Sequence, residues 1–332
     1  MDKSDLINAL GGEGVPYDPA RATLYTPEEL LAPWPPDPRK TLDDAILEHR
    51  VRTGSNHPGM RESLTRRLHD FSIDEALVAA IGSGPTERVR IVGIMGGHST
   101  SRKDPAYAAA ARLAFLLRKA GYRVVTGGGP GIMEAGNVGA YVASEWEEVD
   151  LGRALDILAS GPDAPTERDW KTKPALVKRY QDYMSKAFEV RSAFPRQHVP
   201  TEAQEFANLA MPTWFYGWEP TNLFADRVAK YFSNSLREDG LTGICVGGIV
   251  YAPGSLGTTQ EVFADAAQNH YQTFELTSPM VFLGRDRWAT RTSHYKLITE
   301  LSEGFPWSAF IGLVDDPAEA VAFIRSRPPR KL

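Results

Sequence analysis

The sequence predicts an α/β protein: a Rossmann-like, doubly wound, mostly parallel sheet with helices on both faces, preceded by a mainly helical N-terminal extension. Three observations carry this. From Val89 onward, short β-branched apolar runs alternate with longer segments of helical period. Helix start and stop signals sit at the expected places between them. Three of the apolar runs end in glycine-bearing turns, where a buried strand gives way to a helix.

The first 40 residues, rich in Pro and Gly, read as an irregular arm with one short helix. Residues 41–82 read as helical, through "TLDDAILEHRVR" and "SIDEALVAAIG", until "GSGPTER" breaks the pattern. "VRIVGIMGG" is the first strand. The helix after it has Asp104 as N-cap, Pro105 at its first position and Gly121 as its stop. "YRVVTGGG" is the second strand and "IMEAGNVGAYVASE" the second helix. The order strand–helix–strand–helix implies parallel strands joined by right-handed crossovers.

Residues 146–220 are less regular and read as an insertion or covering element, with a helix in "KPALVKRYQDYMSKAFEV" and room for a strand in "FANLAMPTWFYGW". Alternation then resumes: helix "NLFADRVAKYFSNSLREDG", strand "GICVGGIVYAPG", helix "TTQEVFADAAQNHY", strand "PMVFLG", helix "HYKLITELSEG", strand "AFIGLVDD" and helix "PAEAVAFIRS". The sum is five or six parallel strands. The chain divides into an extension, 1–85, and a nucleotide-binding domain, 86–332, carrying the insertion at about 146–220.

Bulk properties narrow the function. Of the 332 residues, 42% are hydrophobic and 24% charged, as in a soluble globular protein. A net charge of −5 gives no electrostatic footprint for nucleic acid. The single cysteine, Cys245, lies in an apolar run and reads as an inert buried thiol. No Cys/His spacing suggests a metal site, and no cofactor is implied. "MDKSDLINALGGEG" carries no apolar signal region and no run is long enough to span a membrane, so the expected location is the cytoplasm.

The three glycine-bearing turns are "MGGHSTS" (95–101), "TGGGPGIM" (126–133) and the one within "VYAPGSLGTTQE" (250–261). In a doubly wound sheet all three lie on the rim formed by the carboxyl ends of the strands. Glycine there admits close approach of a ligand, and the helix N-termini that follow offer free N–H groups and the positive end of a dipole, both suited to phosphate. A dinucleotide fingerprint fails, because after Gly129 and Gly131 the third glycine position is Glu134. No GxxxxGK[ST] and no GxSxG is present. What remains suits a mononucleotide or sugar phosphate. Each feature also has a purely structural reading. Glycines at such turns often serve packing, and Thr258-x-x-Glu261 fits a capping box. Aromatic-rich "WFYGWE" (214–219) and His98 and His270 read as packing or surface groups.

In combination the motifs are more specific. "GGGPGIMEAGNVGA" (127–140) and "PGSLGTTQE" (253–261) resemble the GGGxxGxMxxxxxxA and PGGxGTxxE signatures of the LOG-like family of nucleotide phosphoribohydrolases, some of whose members carried the label lysine decarboxylase. The resemblance covers roughly residues 88–145 and 222–315. It implies a Rossmann-like fold, a homodimer or higher homo-oligomer, and hydrolysis of the N-glycosidic bond of a nucleoside 5′-monophosphate, AMP or one like it. The alternative it leaves open is a non-catalytic nucleotide-binding sensor or regulator of the same fold. By resemblance Glu261 matches the catalytic glutamate, and Arg227, in the segment before the motif strand, the catalytic arginine. Gly254, Ser255, Gly257 and Thr258 match the phosphate-binding turn, and Gly128, Gly129 and Gly131 the second loop, with Gly96, Gly97 and Met133 as further substrate contacts. Ser255 departs from the second glycine of PGG, and "REDGLTG" lengthens the segment between Arg227 and Pro253.

Overall fold

A computed structural model describes residues 14–34, 37, 39–167, 169–197 and 206–331. The first 13 residues, on which the reading of the N-terminus rests, lie outside them.

Seven strands form one parallel sheet: β1 (Ile91–Met95), β2 (Arg123–Thr126), β3 (Asn208–Ala210), β4 (Arg227–Val228), β5 (Gly248–Tyr251), β6 (Met280–Leu283) and β7 (Ile311–Val314). Their order is β4-β3-β2-β1-β5-β6-β7. The chain builds outward from β1 to β4, then returns to the other side of β1 with β5. The switch point therefore lies between β1 and β5, where Val92 stands beside Gly248 and Met95 beside Tyr251. The sequence supports only five or six strands, because β3 and β4 are too short to show a period of their own.

Side chains alternate between two cores, as a strand requires. Val92 and Ile94 of β1 pack into one, and Ile91 and Met95 into the other. The first core is closed by α4 (Pro105–Lys119), α5 (Ile132–Ala143), α6 (Glu148–Ala159), α7 (Pro174–Ala193) and α11 (Pro317–Ser326), following in the chain three helices of the N-terminal segment. Those three are α1 (Pro27–Leu31), α2 (Leu42–Arg52) and α3 (Met60–Ile81). They close the second core with α8 (Asn234–Ile244), α9 (Leu256–Tyr271) and α10 (His294–Ser302).

The start of α4 follows the sequence signals. The Asp104 carboxylate accepts the Ala106 N–H at 2.8 Å, Pro105 opens the helix, and Gly121 beyond its end is at φ +84°. The N-terminal segment is tied to the sheet edge. Tyr25 and Val228 exchange backbone hydrogen bonds of 3.0 and 2.8 Å, which covers the outer edge of β4. Asp43 on α2 accepts from Lys230 at 2.7 and 2.8 Å, from the Trp214 indole at 2.6 Å and from Thr221 at 2.9 Å.

One expected helix is corrected. "NLFADRVAKYFSNSLREDG" is not one helix: its first half is loop and β4, and α8 begins only at Asn234. Backbone N–H groups of Phe232 and Ser233 are held by the Asp70 carboxylate of α3, both at 2.9 Å, which fixes the chain immediately before α8. The stretch "REDGLTG" lies within α8.

Candidate functional site

The three glycine turns meet at the switch point. Gly97 links them: its N–H donates to the Pro253 carbonyl at 3.0 Å, and its own carbonyl accepts the Ile132 N–H at 3.1 Å. Glycine is required where the turns touch. Gly131 is at φ +71°, and a methyl there would collide with the Gly97 carbonyl oxygen. At Gly254 a methyl would collide with the Thr258 hydroxyl. Thr258 is buried, so the third turn lies close against the start of α9. We expect Gly131→Ala to destabilise the fold by about 1–3 kcal/mol, the usual range for a side chain forced into positive φ, read as a fall in the urea midpoint at unchanged slope.

Gly257 is different. A methyl on it would meet nothing within 4 Å, and it lies exposed in the first turn of α9. Ser255 is the N-cap but makes no side-chain capping bond, and Thr258 is the third helical residue. The expected capping box between Thr258 and Glu261 is therefore absent, because α9 starts two residues before Thr258. The first-turn N–H groups of α9 are left facing the rim. Beside them, the Arg287 guanidinium donates to the Gly254 carbonyl from the π-helical turn Asp286–Thr290. The Thr259 hydroxyl and His294 Nε2 lie 2.9 Å apart.

Glu261 lies in the second turn of α9 with its side chain 13% exposed. Its basic partner in the sequence reading, Arg227, is not there. Arg227 sits on β4, at the far edge of the sheet, and donates to the Asp226 carbonyl at 2.8 Å. The arginine that meets Glu261 is Arg237 of α8, with Nη1 at 4.0 Å from the carboxylate. Arg237 is buried, its Nη2 donates to Asn234 at 2.6 Å, and its Nε has no partner among the described residues. Its Nη1 also comes within 3.7 Å of where a methyl on Gly127 would stand, so it bridges α9 and the second turn.

Burial pushes the Glu261 carboxyl up to about 7, with Glu238 adding to the rise and Arg237 opposing it. Glu261 is thus poised to change charge near neutrality. One turn on, Asp265 is also pushed up to about 7 by burial, while the Tyr251 hydroxyl donates to it at 2.7 Å.

The second turn lies on the same rim. Met133 at the start of α5 lies where methyls on Gly127 or Gly129 would clash with its thioether, so those two glycines make room for it. Gly128, at φ +75°, packs on Pro212, and its N–H donates to Thr126 at 3.1 Å. Gly96 lies against Ile132. His98 is exposed on the first turn. Farther from the rim, Arg102 forks onto Glu134 at 2.9 and 2.6 Å, and the Tyr107 and Tyr183 hydroxyls donate to the same carboxylate at 2.8 and 3.0 Å. This buried network fastens the first turn to α4, α5 and α7.

The structure therefore brings together Glu261, Gly96, Gly97, Met133, the glycines at 128, 129, 131, 254 and 257, Ser255 and Thr258. It leaves Arg227 apart and adds Arg237, Arg287 and Glu219, whose Oε2 stands 3.2 Å from where a methyl on Gly129 would be. The signal for Arg237 was "SNS" before "LREDGL": Ser and Asn mark a helix start, which places Arg237 on the helix next to β5. Arg287 and Glu219 follow strands β6 and β3 and carry no local motif. Cys245 is buried against the Leu241 carbonyl, with its thiol pushed up by burial, as its surroundings in the sequence imply. Among the described residues no cluster of His, Cys, Asp and Glu has the makings of a metal site, and no helix is long and apolar enough to cross a membrane.

Comparison with known proteins adds the following. Residues 89–146, which span β1 to the end of α5, match the model of the SLOG cluster4 family. The SLOG superfamily, to which that model belongs, includes LOG-like proteins. No curated protein matches the chain. Among solved structures, the molybdenum cofactor binding protein of the phototrophic bacterium Rippkaea orientalis is 15% identical at a TM-score of 0.39, covering 71% of this chain and 95% of its own. The molybdenum cofactor carrier protein MCP of Chlamydomonas reinhardtii is 17% identical at the same TM-score, covering 71% of this chain and 96% of its own. Fold class stands on the seven-stranded parallel sheet itself: Rossmann-like, with helices on both faces.

Proposed function

We propose that the protein hydrolyses the N-glycosidic bond of a nucleoside 5′-monophosphate, releasing free base and ribose 5-phosphate. The observation that supports this most is the placement of Glu261, with Arg237 4.0 Å away, beside the free first turn of α9. The amides of that turn take the phosphate, and the Arg287 guanidinium adds positive charge next to it. The ribose then lies toward Glu261. As the C1′–N bond lengthens, the sugar gains oxocarbenium character, which an ionised carboxylate stabilises while it takes a proton from the attacking water. Arg237 favours the ionised form of Glu261 and restrains its position. Cytoplasmic location and a homodimeric or larger assembly belong to the same reading; light scattering on the purified protein tests the assembly.

The test is release of free base from AMP, GMP, CMP, UMP and IMP, followed by chromatography. Release from at least one is expected, and release from none would sink the reading. A second test isolates the phosphate subsite. Gly257→Ala adds a methyl in open space within a helix, so the thermal midpoint should not fall. A phosphate over the first turn of α9 would meet that methyl, and KM should rise about tenfold, roughly 1.4 kcal/mol.

One observation favours a second reading, a nucleotide-binding protein without turnover. Ser255 puts an exposed side chain at the N-cap where the resembled signature has glycine. That reading expects saturable heat of binding for a nucleotide with no base released.

A further inference from the structure

Glu219 lies in the connection between β3 and β4 and is held on both sides. Trp218 packs between Trp170 and Tyr180, with ring centroids at 4.3 and 4.9 Å. Beyond Pro220, Thr221 is bonded to Asp43 at 2.9 Å and Asn222 to Asn137 at 2.8 Å. The backbone at Glu219 is therefore fixed. Its carboxylate nevertheless makes no hydrogen bond or ion pair with any described residue. Lys230, the cation that acts on it most strongly, already gives its hydrogen bonds to both oxygens of Asp43.

The free carboxylate stands over the second glycine turn, its Oε2 3.2 Å from where a methyl on Gly129 would be. Met133 also borders that position, and Met133 and Arg237 together border Gly127. Glu219 and Glu261 thus stand on the same rim, linked through Met133 and Arg237. The strand order sets their relation to a ligand. From the end of β5 to the end of β3 there are three strand spacings, about 14 Å at about 4.8 Å each. A nucleotide with its phosphate on α9 and its sugar at Glu261 runs its base toward β2 and β3, where Glu219 is.

We infer that Glu219 is the general acid of the reaction, donating its proton to the base as the base departs. The inference rests on the phosphoribohydrolase reading. The electron pair of the C1′–N bond passes to the base, and the Glu219 carboxyl proton moves to a base nitrogen. Water oxygen bonds to C1′, and the water proton goes to Glu261. Glu219 then regains a proton from solvent and Glu261 returns one, so the net change is consumption of one water. The surroundings suit an acid: burial holds the Glu219 carboxyl above its ordinary range, Lys230, His98 and Arg237 oppose this, and Asp43 adds to it.

The test compares wild type with Glu219→Gln on whichever of the five monophosphates wild type hydrolyses fastest. Glutamine keeps shape and polarity but has no proton to give. We expect kcat to fall about 100-fold, KM to stay within about twofold, and the decline of kcat/KM at high pH to vanish, since that decline reports loss of the acid's proton. If the variant does not fold, Glu219→Asp keeps the acid but withdraws it; kcat should fall with the high-pH decline retained. Wild-type turnover with either folded variant unchanged in kcat overturns the inference and leaves the hydrolase reading standing. A wild type that releases no base overturns both.

Discussion

Glu261→Gln should lower base release by at least about 1,000-fold, within the range for loss of a group acting directly at the reacting centre. The same variant should be more stable than wild type above pH 7, and the sign follows from the raised carboxyl. Glu261 titrates near 7 in the folded chain and near 4.5 in the unfolded chain, so the folded state binds more protons between those values. Stability of the wild type therefore falls as pH rises from about 4.5 to about 7 on account of this group, and the full cost persists above it. The variant, having no charge to bury, escapes that cost, a gain of about 1–3 kcal/mol at pH 8 and nothing at pH 4. Denaturant titrations at the two pH values read it directly. Equal stability at pH 8 would mean that the ionised carboxylate is well solvated and not poised. Turnover by wild type should rise with pH through about 7, since Glu261 acts ionised.

Arg237→Met is the second large effect. It removes the charge that favours ionised Glu261 while keeping most of the buried stem. The carboxyl should then move above 7, and the low-pH limb of kcat/KM should move with it. At pH 7 the expected loss is about 100-fold, partly recovered at pH 9. Arg237→Lys should lose less, because a point charge restores the field but not the fork that also bonds Asn234. Arg227→Met, by contrast, should leave kcat/KM unchanged, since β4 lies three strands from β1 at the sheet edge. A large loss there with none at position 237 would reverse the assignment.

The alternation of strands and helices after Val89 was legible because each inner strand is bounded by glycine or by a cap whose chemistry is local. Asp104, Pro105 and Gly121 show this within one helix. Asn208–Ala210 and Arg227–Val228 were not legible as a sheet edge. Two or three residues show no period, and what holds them is pairing with β2, the Asn208–Asn137 contact and the Tyr25–Val228 bridge, all distant in sequence. The mistaken role of Arg227 follows from that mistaken helix: once 222–240 is read as one helix, the wrong arginine points at the motif strand. Glu261 and the glycines were legible because their spacing is fixed by the turns they form. Glu219 and Arg287 reach the cleft only through the sheet order, which no window of sequence contains.

Gly97 also bears on how a ligand would be received. Its N–H and carbonyl stitch the first turn to the third and to the start of α5, so the rim is assembled before anything binds. Ordering of these loops has then been settled on folding, and little conformational entropy remains to be lost on association. Amides of residues 97 and 132 should exchange slowly with deuterium in the empty protein, and adding a nucleotide should slow them little further. Protection should instead appear at residues 256–258, whose amides have no acceptor among the described residues.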